Sequence, residues 1–168
     1  LKSIQDQYRQ QFEDDIPVTP PFKLTENYPD QMFQRYRRVG AASLAAVGID
    51  PKDKNDRRRY TAEMFSMFHA PTVIFMGLND QLEYPYHLVD TGIVTQTICL
   101  LATEAGLGSC IMAMAAFYPD VLREKLKLDA GITPVLGIAL GYADPDSPLN
   151  SFNRERDSLD QFVQWVDY

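Results

Sequence analysis

Residues 88–114 read LVDTGIVTQTICLLATEAGLGSCIMAM, and they decide the fold of this chain. Positions 88–105 are apolar on nearly every face of a helix, so such a helix must be enclosed on all sides, in a core or at a subunit interface. Gly106 favours the left-handed position that ends a helix, and Leu107 supplies the accompanying hydrophobic contact. The stretch therefore predicts a long helix ending at Gly106, followed by a short strand over Ser109–Met114.

Two more strands are predicted from composition and alternation. Residues 134–142 alternate small with large side chains, as a central strand does when other backbone approaches it closely. Thr72–Met76 is a β-branched and aromatic run bounded by Gly77 and Asn79-Asp80, which predicts a buried strand.

Apolar periodicity and end signals predict the remaining helices. One lies over Asp30–Ala46 with Gly48 as its stop, a second begins at about Asp56, and Tyr118-Pro119-Asp120 opens a short third. A stripe of four side chains predicts another helix at the start of the chain: Leu1, Ile4, Tyr8 and Phe12.

Two segments have no regular helix pattern. Residues 14–29 contain several prolines, which fix φ and remove backbone donors, so we predict an irregular loop or lid there. Ser158 and Gln161 are spaced as a capping box, but a C-terminal strand through 162–165 fits the pattern equally well. Helices alternating with short strands indicate an α+β or α/β protein.

Length and charge limit the function classes. The chain has 168 residues with 45% hydrophobic content, which suits one domain over 1–168 with a single core. Its net charge of −7 opposes nucleic-acid binding, which needs a cationic face. The arginines at 35, 37, 38 and 57–59 have helical spacing, which is typical of a solvated face, and we assign them no function.

The apolar segments and the cysteines indicate a soluble, cytoplasmic protein. No segment reaches the ~20 apolar residues that span a bilayer, so no membrane association is expected. Cys99 and Cys110 fall on the predicted core helix and core strand, where we expect buried thiols. With His69 and His87 they match no familiar metal-ligand spacing, so no metal site is predicted.

General catalytic motifs are missing from the sequence. Gly106-Leu107-Gly108 follows a helix and precedes a strand, the reverse of the order in a dinucleotide-binding turn. The carboxylates are scattered and the histidines have no obvious partners, so no acid–base pair is evident. If the chain is an enzyme, a cofactor must carry the chemistry.

The order and spacing of several segments resemble the nitroreductase family, and the resemblance covers most of the chain. The matching segments are Phe68–Pro71, Leu88–Gly92, Gln96, Leu100–Ser109, Val121, Leu126, Pro134-Val135, Ile138–Tyr142, Arg156–Leu159 and Phe162.

This resemblance implies an α+β, nitroreductase-like fold, in which helices flank a central, mainly antiparallel sheet and the long apolar helix lies at a dimer interface. It implies a homodimer with FMN at the subunit interface. The flavin would take reducing equivalents from NADH or NADPH and pass them to a nitroaromatic, quinone or related acceptor, with the flavin N5 as the reactive atom.

The resemblance also implies where the flavin ring lies. It places the backbone of Ala113 and Met114 beside the flavin, with Ile111 and Met112 just before them. A fixed N–H suits that position, because it stabilises the charge that reduction builds on the ring. The alternative is an ordinary buried strand.

Two arginines match the positions from which the family binds the FMN phosphate. They are Arg154 and Arg156, with Asn153 assisting, and guanidinium groups offer phosphate paired donors in one plane. The alternative is a pair of surface arginines bridged to Asp157 or Asp160.

The family's N-terminal Pro-Ser-x-x-Asn-x-Gln-Pro-Trp stretch is absent from these 168 residues, and no Arg-x-Ser stretch precedes Arg156. We expect either that the sequence begins partway through a longer protein or that it is a truncated form. The alternative functions are a reductive dehalogenase or a flavin-consuming enzyme on the same fold, or a non-catalytic dimeric binding module that has lost FMN.

Substrate specificity is expected in the residues that vary over the flavin face, around the proline-rich loop and the helices between Asp30 and Phe68. Six aromatic side chains there could stack on an acceptor, although aromatics at helical spacing are more often part of a core. They are Tyr28, Phe33, Tyr36, Tyr60, Phe65 and Phe68.

Overall fold

The computed structural model describes residues 1–23, 27–82 and 84–166, which fall into two compact units. The sheet unit comprises Leu1–Thr25 and Lys54–Ala143, and the helical unit comprises Glu26–Asp53 and Asp144–Tyr168. The α-helices are α1 (Lys2–Glu13), α2 (Asp30–Ala46), α3 (Lys54–Phe65), α4 (Tyr84–Glu104), α5 (Pro119–Leu126) and α6 (Pro148–Ser151). The strands are β1 (Thr72–Asn79), β2 (Gly108–Met112) and β3 (Ile132–Gly141), and 3₁₀ turns cover Met67–His69, Ala113–Ala116 and Leu159–Gln161.

The three strands form an antiparallel sheet in the order β1-β3-β2. The α+β fold with an antiparallel sheet is therefore confirmed, and β3 is the central strand, as its alternation of small and large residues predicts. β1 continues past the predicted end at Met76 through a bulge and ends at Asn79, so Gly77 does not stop the strand and the boundary lies at Asn79-Asp80. The prediction that β1 is buried is also wrong for most of its length, because it lies at a sheet edge and its side chains are mostly half-buried.

The core of the sheet unit lies where α1, α3 and α5 pack together. The stripe on α1 is confirmed for Ile4 and Tyr8, which are buried, and for Phe12, which packs partly buried against the core, but it is wrong for Leu1, which precedes the helix and is 40% exposed. Ten buried side chains form the core cluster: Ile4, Tyr8, Phe65, Met67, Met112, Ala115, Tyr118, Val121, Leu122 and Ala139.

The end of α4 confirms the helix stop read from Gly106. This glycine has φ +73°, and its N–H donates to the Thr103 carbonyl at 3.0 Å, while the Leu107 N–H donates to the Ala102 carbonyl at 2.8 Å. These are the two hydrogen bonds of a Schellman motif. The same motif ends α2 at Gly48 (φ +69°), so the predicted bounds of Asp30–Ala46 are confirmed.

The enclosure predicted for α4 is not found within the chain. Thr91, Thr95 and Ala102 are its buried residues, whereas large apolar side chains lie in solvent along the helix. The exposed set is Val89, Ile93, Val94, Leu100 and Leu101. The prediction that this helix is covered within a core is therefore wrong. The rest of the sheet unit covers only the narrow side of α4 that carries Thr91, Thr95 and Ala102.

The second helix predicted for this region, α3, ends at Phe65, and the chain then reverses its helical hand. Met67, Phe68 and His69 have φ of 53°, 50° and 55°, the left-handed region that residues with a Cβ rarely adopt. Helix geometry therefore stops before His69-Ala70-Pro71.

The described parts of the proline-rich segment, residues 14–23 and 27–29, contain no helix or strand, as predicted, and residues 24–26 lie outside the description. Neither prediction for the C-terminal segment is observed. Ser158 makes no side-chain cap, because its backbone carbonyl accepts the Gln161 N–H at 3.1 Å. Residues 162–166 contain no strand.

Candidate functional site

The predicted ring-contacting residues lie at the junction between β2 and the 3₁₀ turn Ala113–Ala116. The pairing of β2 with β3 ends at Met112 opposite Gly137, so the strand stops two residues short of the predicted Met114. Met112 is buried, Ala113 is exposed, and Ile111 is 50% exposed. The structure therefore brings these residues together as a strand-to-turn junction.

The alternative of an ordinary buried strand is wrong, since β2 is an edge strand with three successive exposed residues. Cys110 is one of them, so the expectation of a buried thiol there is wrong, while Cys99 is half-buried. Both predictions of burial failed for the same reason. The sequence does not show that β2 lies at the edge of the sheet, with a neighbouring strand on one side only.

The junction offers main-chain donors at its surface. Ala113 and Met114 are the first two residues of the 3₁₀ turn, and their N–H groups have no partner three residues earlier within it. They also lie beyond the β2–β3 ladder. The start of this turn is therefore the place where main-chain N–H groups have no acceptor within the turn itself.

Two contacts fix the 3₁₀ turn from opposite sides. A Cβ added at Gly137 of β3 would lie 2.6 Å from the Ala115 Cβ, so the turn packs directly onto the strand. From α1, the Tyr8 hydroxyl donates to the carbonyl of Ala115 at 2.8 Å and to that of Tyr118 at 3.1 Å. Sequence analysis placed Tyr8 on a buried stripe, but nothing in it pointed to the partner of the hydroxyl.

The predicted phosphate-binding residues lie together in the helical unit, on an irregular segment that follows α6. Asn153, Arg154 and Arg156 are all exposed. Arg154 donates to the Leu149 carbonyl at 2.8 Å, and its guanidinium carbon lies 4.9 Å from the centre of the Phe152 ring. Arg156 donates to the carbonyl of Glu155 at 3.0 Å.

The alternative in which these arginines are bridged to Asp157 or Asp160 is not observed. Asp157 is instead paired with Arg35 of α2, and its other oxygen lies 3.8 Å from Arg38. Within residues 1–23, 27–82 and 84–166, neither Arg154 nor Arg156 contacts a carboxylate. Their positive charges are therefore not neutralised by this part of the chain.

Asn153 and Arg156 line an open groove along α2. Arg35, Arg38 and the apolar side chains of Val39 and Phe162 line it as well. Arg35 and Arg38, to which we assigned no function, thus hold an acidic residue of this groove rather than only facing solvent.

Each donor set has its own chemistry. Guanidinium groups without carboxylate partners suit a phosphate, and main-chain N–H groups at the start of a turn suit a neutral acceptor atom or a developing negative charge. The other candidate chemistries gain no support. His69 is held by Glu63 at 2.9 Å, and the described residues include no cluster of three or more metal-ligating side chains.

The aromatic residues divide between core and surface. Phe65 is buried in the core cluster, as the core alternative predicts. In the helical unit, Tyr28, Phe33 and Tyr36 are exposed, and the rings of Tyr28 and Tyr36 are stacked with centroids 6.5 Å apart. The alternative that these aromatic side chains belong to a core is therefore wrong for Tyr28, Phe33 and Tyr36.

Comparison with known proteins identifies similar sequences. A family model described as "Nitroreductase family" matches residues 22–142. A 4-nitrobenzoate reductase from Pseudomonas putida is 28% identical over 144 residues, which are 83% of this chain and 63% of that protein. A 4-nitrobenzoate reductase from Nocardioides sp. (strain LMS-CY) is 32% identical over 123 residues, covering 72% of this chain and 49% of that protein. The chain thus spans about half to just under two thirds of the length of these relatives.

Solved structures share the fold. The FMN and NADPH-dependent nitroreductase NfnB from sphigopyxis sp. strain HMH superposes with a TM-score of 0.89 at 26% identity, covering 99% of this chain and 75% of that chain. The FMN-dependent nitroreductase NfnB from Mycobacterium smegmatis, solved in complex with NADPH, superposes with a TM-score of 0.88 at 25% identity, covering 98% of this chain and 75% of that chain.

Proposed function

Because this chain belongs to the nitroreductase family, we propose that it is part or all of an FMN-dependent oxidoreductase that transfers reducing equivalents from NAD(P)H to a nitroaromatic, quinone or related acceptor. The observation that carries the proposal is the pair of exposed guanidinium groups, Arg154 and Arg156, that no described carboxylate neutralises. The similarity to nitrobenzoate reductases and to FMN-dependent structures supports it.

Arg156 and Arg154 are proposed to hold the phosphate of FMN, with Asn153 as a neutral donor beside them. A phosphate needs several charge-assisted donors, and a guanidinium supplies two in one plane. Because Arg35 and Arg38 hold the carboxylate of Asp157, that negative charge is partly compensated and opposes an incoming phosphate less.

The junction Ile111–Met114 is proposed to contact the isoalloxazine ring. The amides of Ala113 and Met114 would donate to ring acceptor atoms, and the exposed Ile111 supplies an apolar surface next to them. FMN, when bound, supplies the hydride and electron chemistry that no side chain of this protein offers. Donors fixed in a turn stabilise charge on the ring without having to reorganise.

The acceptor is proposed to be a small aromatic compound. The relatives named above act on nitrobenzoates by name, and the helical unit exposes the stacked pair Tyr28 and Tyr36, which present flat rings to solvent. Offset stacking on such rings suits an electron-poor aromatic molecule.

A second copy of the chain is proposed to cover α4. Exposed large apolar side chains recur along this helix, at Val89, Ile93, Val94, Leu100 and Leu101, and a concentration of exposed apolar side chains is typical of interfaces. A homodimer would provide the enclosure that the composition of α4 requires.

Reconstitution with FMN tests the proposed function. The purified protein should bind added FMN and turn yellow, NADPH or NADH should bleach the flavin anaerobically, and 4-nitrobenzoate should restore its colour. Halogenated phenols and oxygen serve as comparison acceptors that identify a dehalogenase or a flavin-consuming enzyme. A dimeric protein that rejects FMN would refute the proposal and favour a binding module.

A further inference from the structure

The hydroxyl of Tyr8 connects α1 to the turn at the end of β2. Tyr8 is completely buried, and its hydroxyl lies 2.8 Å from the Ala115 carbonyl oxygen and 3.1 Å from that of Tyr118. Tyr8 lies more than a hundred positions before Ala115 and Tyr118 in the sequence, so this contact is made by the fold and not by local structure.

The Ala115 carbonyl depends on this hydroxyl. The preceding carbonyl, that of Met114, accepts the Phe117 N–H at 3.1 Å, and the other carbonyl that Tyr8 contacts, that of Tyr118, accepts the Val121 N–H at 3.2 Å. The Ala115 carbonyl comes at the end of the turn, where intrahelical donors run out. A buried carbonyl needs a partner, and for Ala115 the Tyr8 hydroxyl supplies it.

Ala115 is also held on its other side. Gly137 allows the turn to sit directly on β3, where any Cβ would meet the Ala115 Cβ at 2.6 Å. The residue is therefore fixed between the sheet and a hydroxyl. A 3₁₀ turn has about three residues per turn, so a shift of Ala115 carries Ala113 and Met114 with it.

The hydroxyl remains a donor under ordinary conditions. Burial raises the pKa of Tyr8 well above its usual value, so the phenol stays protonated. A neutral buried phenol has its proton available for Ala115 throughout the neutral range.

We infer that Tyr8 is a positioning residue for the flavin site: its hydroxyl fixes the Ala115 carbonyl and, through the turn, sets the direction of the Ala113 and Met114 amides. This inference rests on the proposed function. It assigns a role in cofactor binding to a residue of α1 that touches no cofactor.

Tyr8→Phe tests this role, with Tyr118→Phe as the matched control. Tyr118 packs edge-on against Tyr8 with ring centroids 5.2 Å apart, but its own hydroxyl donates to the Ile16 carbonyl at 3.1 Å, away from the turn. Both variants lose one hydroxyl from the same aromatic cluster. Only Tyr8→Phe removes the bond to Ala115.

Three readouts separate positioning from general stability. In the FMN-free protein, Tyr8→Phe should shift the amide NMR resonances of Ala113 and Met114, and Tyr118→Phe should leave them in place. In the FMN-loaded protein, Tyr8→Phe should weaken FMN binding about tenfold, the loss of roughly one hydrogen bond, and move the flavin midpoint potential. Tyr118→Phe should leave the affinity and the potential unchanged.

Equal effects of the two variants on the midpoint potential, or unshifted amide resonances in Tyr8→Phe, would overturn the inference. If Tyr8→Phe does not fold, 3-fluorotyrosine at position 8 keeps the hydroxyl as a stronger donor. It should also shift both amide resonances, and unshifted resonances would again overturn the role. If the unsubstituted protein does not bind FMN, the proposed function is overturned. If it binds FMN and the amide resonances of Tyr8→Phe do not shift, only the role of Tyr8 is overturned.

Discussion

Arg35 and Asp157 form an ion pair within the helical unit, with the guanidinium nitrogen 2.5 Å from a carboxylate oxygen. This contact removes Asp157 as a partner for Arg156, which lies next to it in sequence. Arg156 therefore keeps an unneutralised charge, and its nearest described acceptors are backbone carbonyls. Whether Arg156 has a carboxylate partner thus depends on Arg35, which lies more than a hundred residues earlier in the sequence.

Replacing Arg156 should weaken FMN binding selectively. Arg156→Ala removes a charged donor from the proposed phosphate site, and the expected loss is about 1.5–3 kcal/mol, as for a hydrogen bond to a charged group. Equilibrium titration by flavin fluorescence measures it. Arg37→Ala, which removes an exposed arginine of α2 that contacts the Phe33 ring, is the control. Equal affinities for Arg156→Ala and Arg37→Ala would contradict the phosphate assignment.

Removing Arg35 should weaken FMN binding without touching the phosphate. Arg35→Ala leaves Asp157 with less compensation in the groove that Arg156 lines, so its charge opposes the phosphate more strongly. The double variant Arg35→Ala/Asp157→Asn should recover the lost affinity, because the opposing charge is gone. The titration is repeated at low and high salt, and the defect of the single variant should shrink as salt screens the repulsion. If the double variant binds FMN as weakly as Arg35→Ala does, the charge of Asp157 is not the cause of the lost affinity.

A side chain at Gly137 should destabilise the sheet unit. Its Cβ would meet the Ala115 Cβ at 2.6 Å, closer than Cβ atoms approach in proteins, so the strand or the turn would have to shift. Overpacking of this kind costs about 1–3 kcal/mol of unfolding free energy, measured by chemical denaturation. Gly40→Ala in α2 is the control, because a Cβ there meets nothing within 4 Å, and it should stabilise its helix by about 0.5–1 kcal/mol. A Gly137→Ala protein as stable as the unsubstituted one would show that the turn can move away.

Local signals predicted the C-terminal ends of α2 and α4 correctly, whereas α4 begins at Tyr84, four residues before the predicted Leu88. The Schellman motifs at Gly48 and Gly106 involve residues within one turn of each other, so the sequence contains all that determines them. The end of β2 at Met112 was missed, because the strand stops where Ala115 packs onto Gly137, a contact between distant residues. The exposure of Ile111 was missed for a similar reason, since edge position is a property of the whole sheet.

The candidate site was predicted in part. Arg154 and Arg156 came from the resemblance, but their lack of carboxylate partners depends on Arg35 and Asp157 meeting in the fold. The burial of Tyr8 followed from the stripe on α1, whereas its bond to Ala115 joins positions 107 apart. Periodicity shows which side of a helix is buried, and it carries no information about the partner of a single hydroxyl.

Stability should fall at alkaline pH, and Tyr8 should contribute to the fall. Burial raises the pKa of Tyr8 above the value of the unfolded chain, so the unfolded state loses its phenolic proton first as pH rises. The stabilisation is complete below the unfolded pKa of about 10 and is lost above it. Denaturation midpoints between neutral and alkaline pH should fall less steeply in Tyr8→Phe than in the unsubstituted protein. Parallel curves for the two proteins would show that the phenol stays accessible to ionisation in the folded state.

A charge on α4 should prevent self-association without unfolding the chain. Ile93 is 61% exposed, so Ile93→Glu places a carboxylate in solvent in the single chain, but inside an apolar contact if a second copy covers this helix. Burying an unpaired carboxylate costs several kcal/mol, enough to dissociate a dimer at micromolar concentration. Sedimentation velocity should show a dimer for the unsubstituted protein and a monomer for Ile93→Glu, with unchanged circular dichroism. Ser3→Glu adds the same charge to the exposed start of α1 and should remain dimeric. A dimer that survives Ile93→Glu would place the interface on another surface and leave the apolar side of α4 without an explanation.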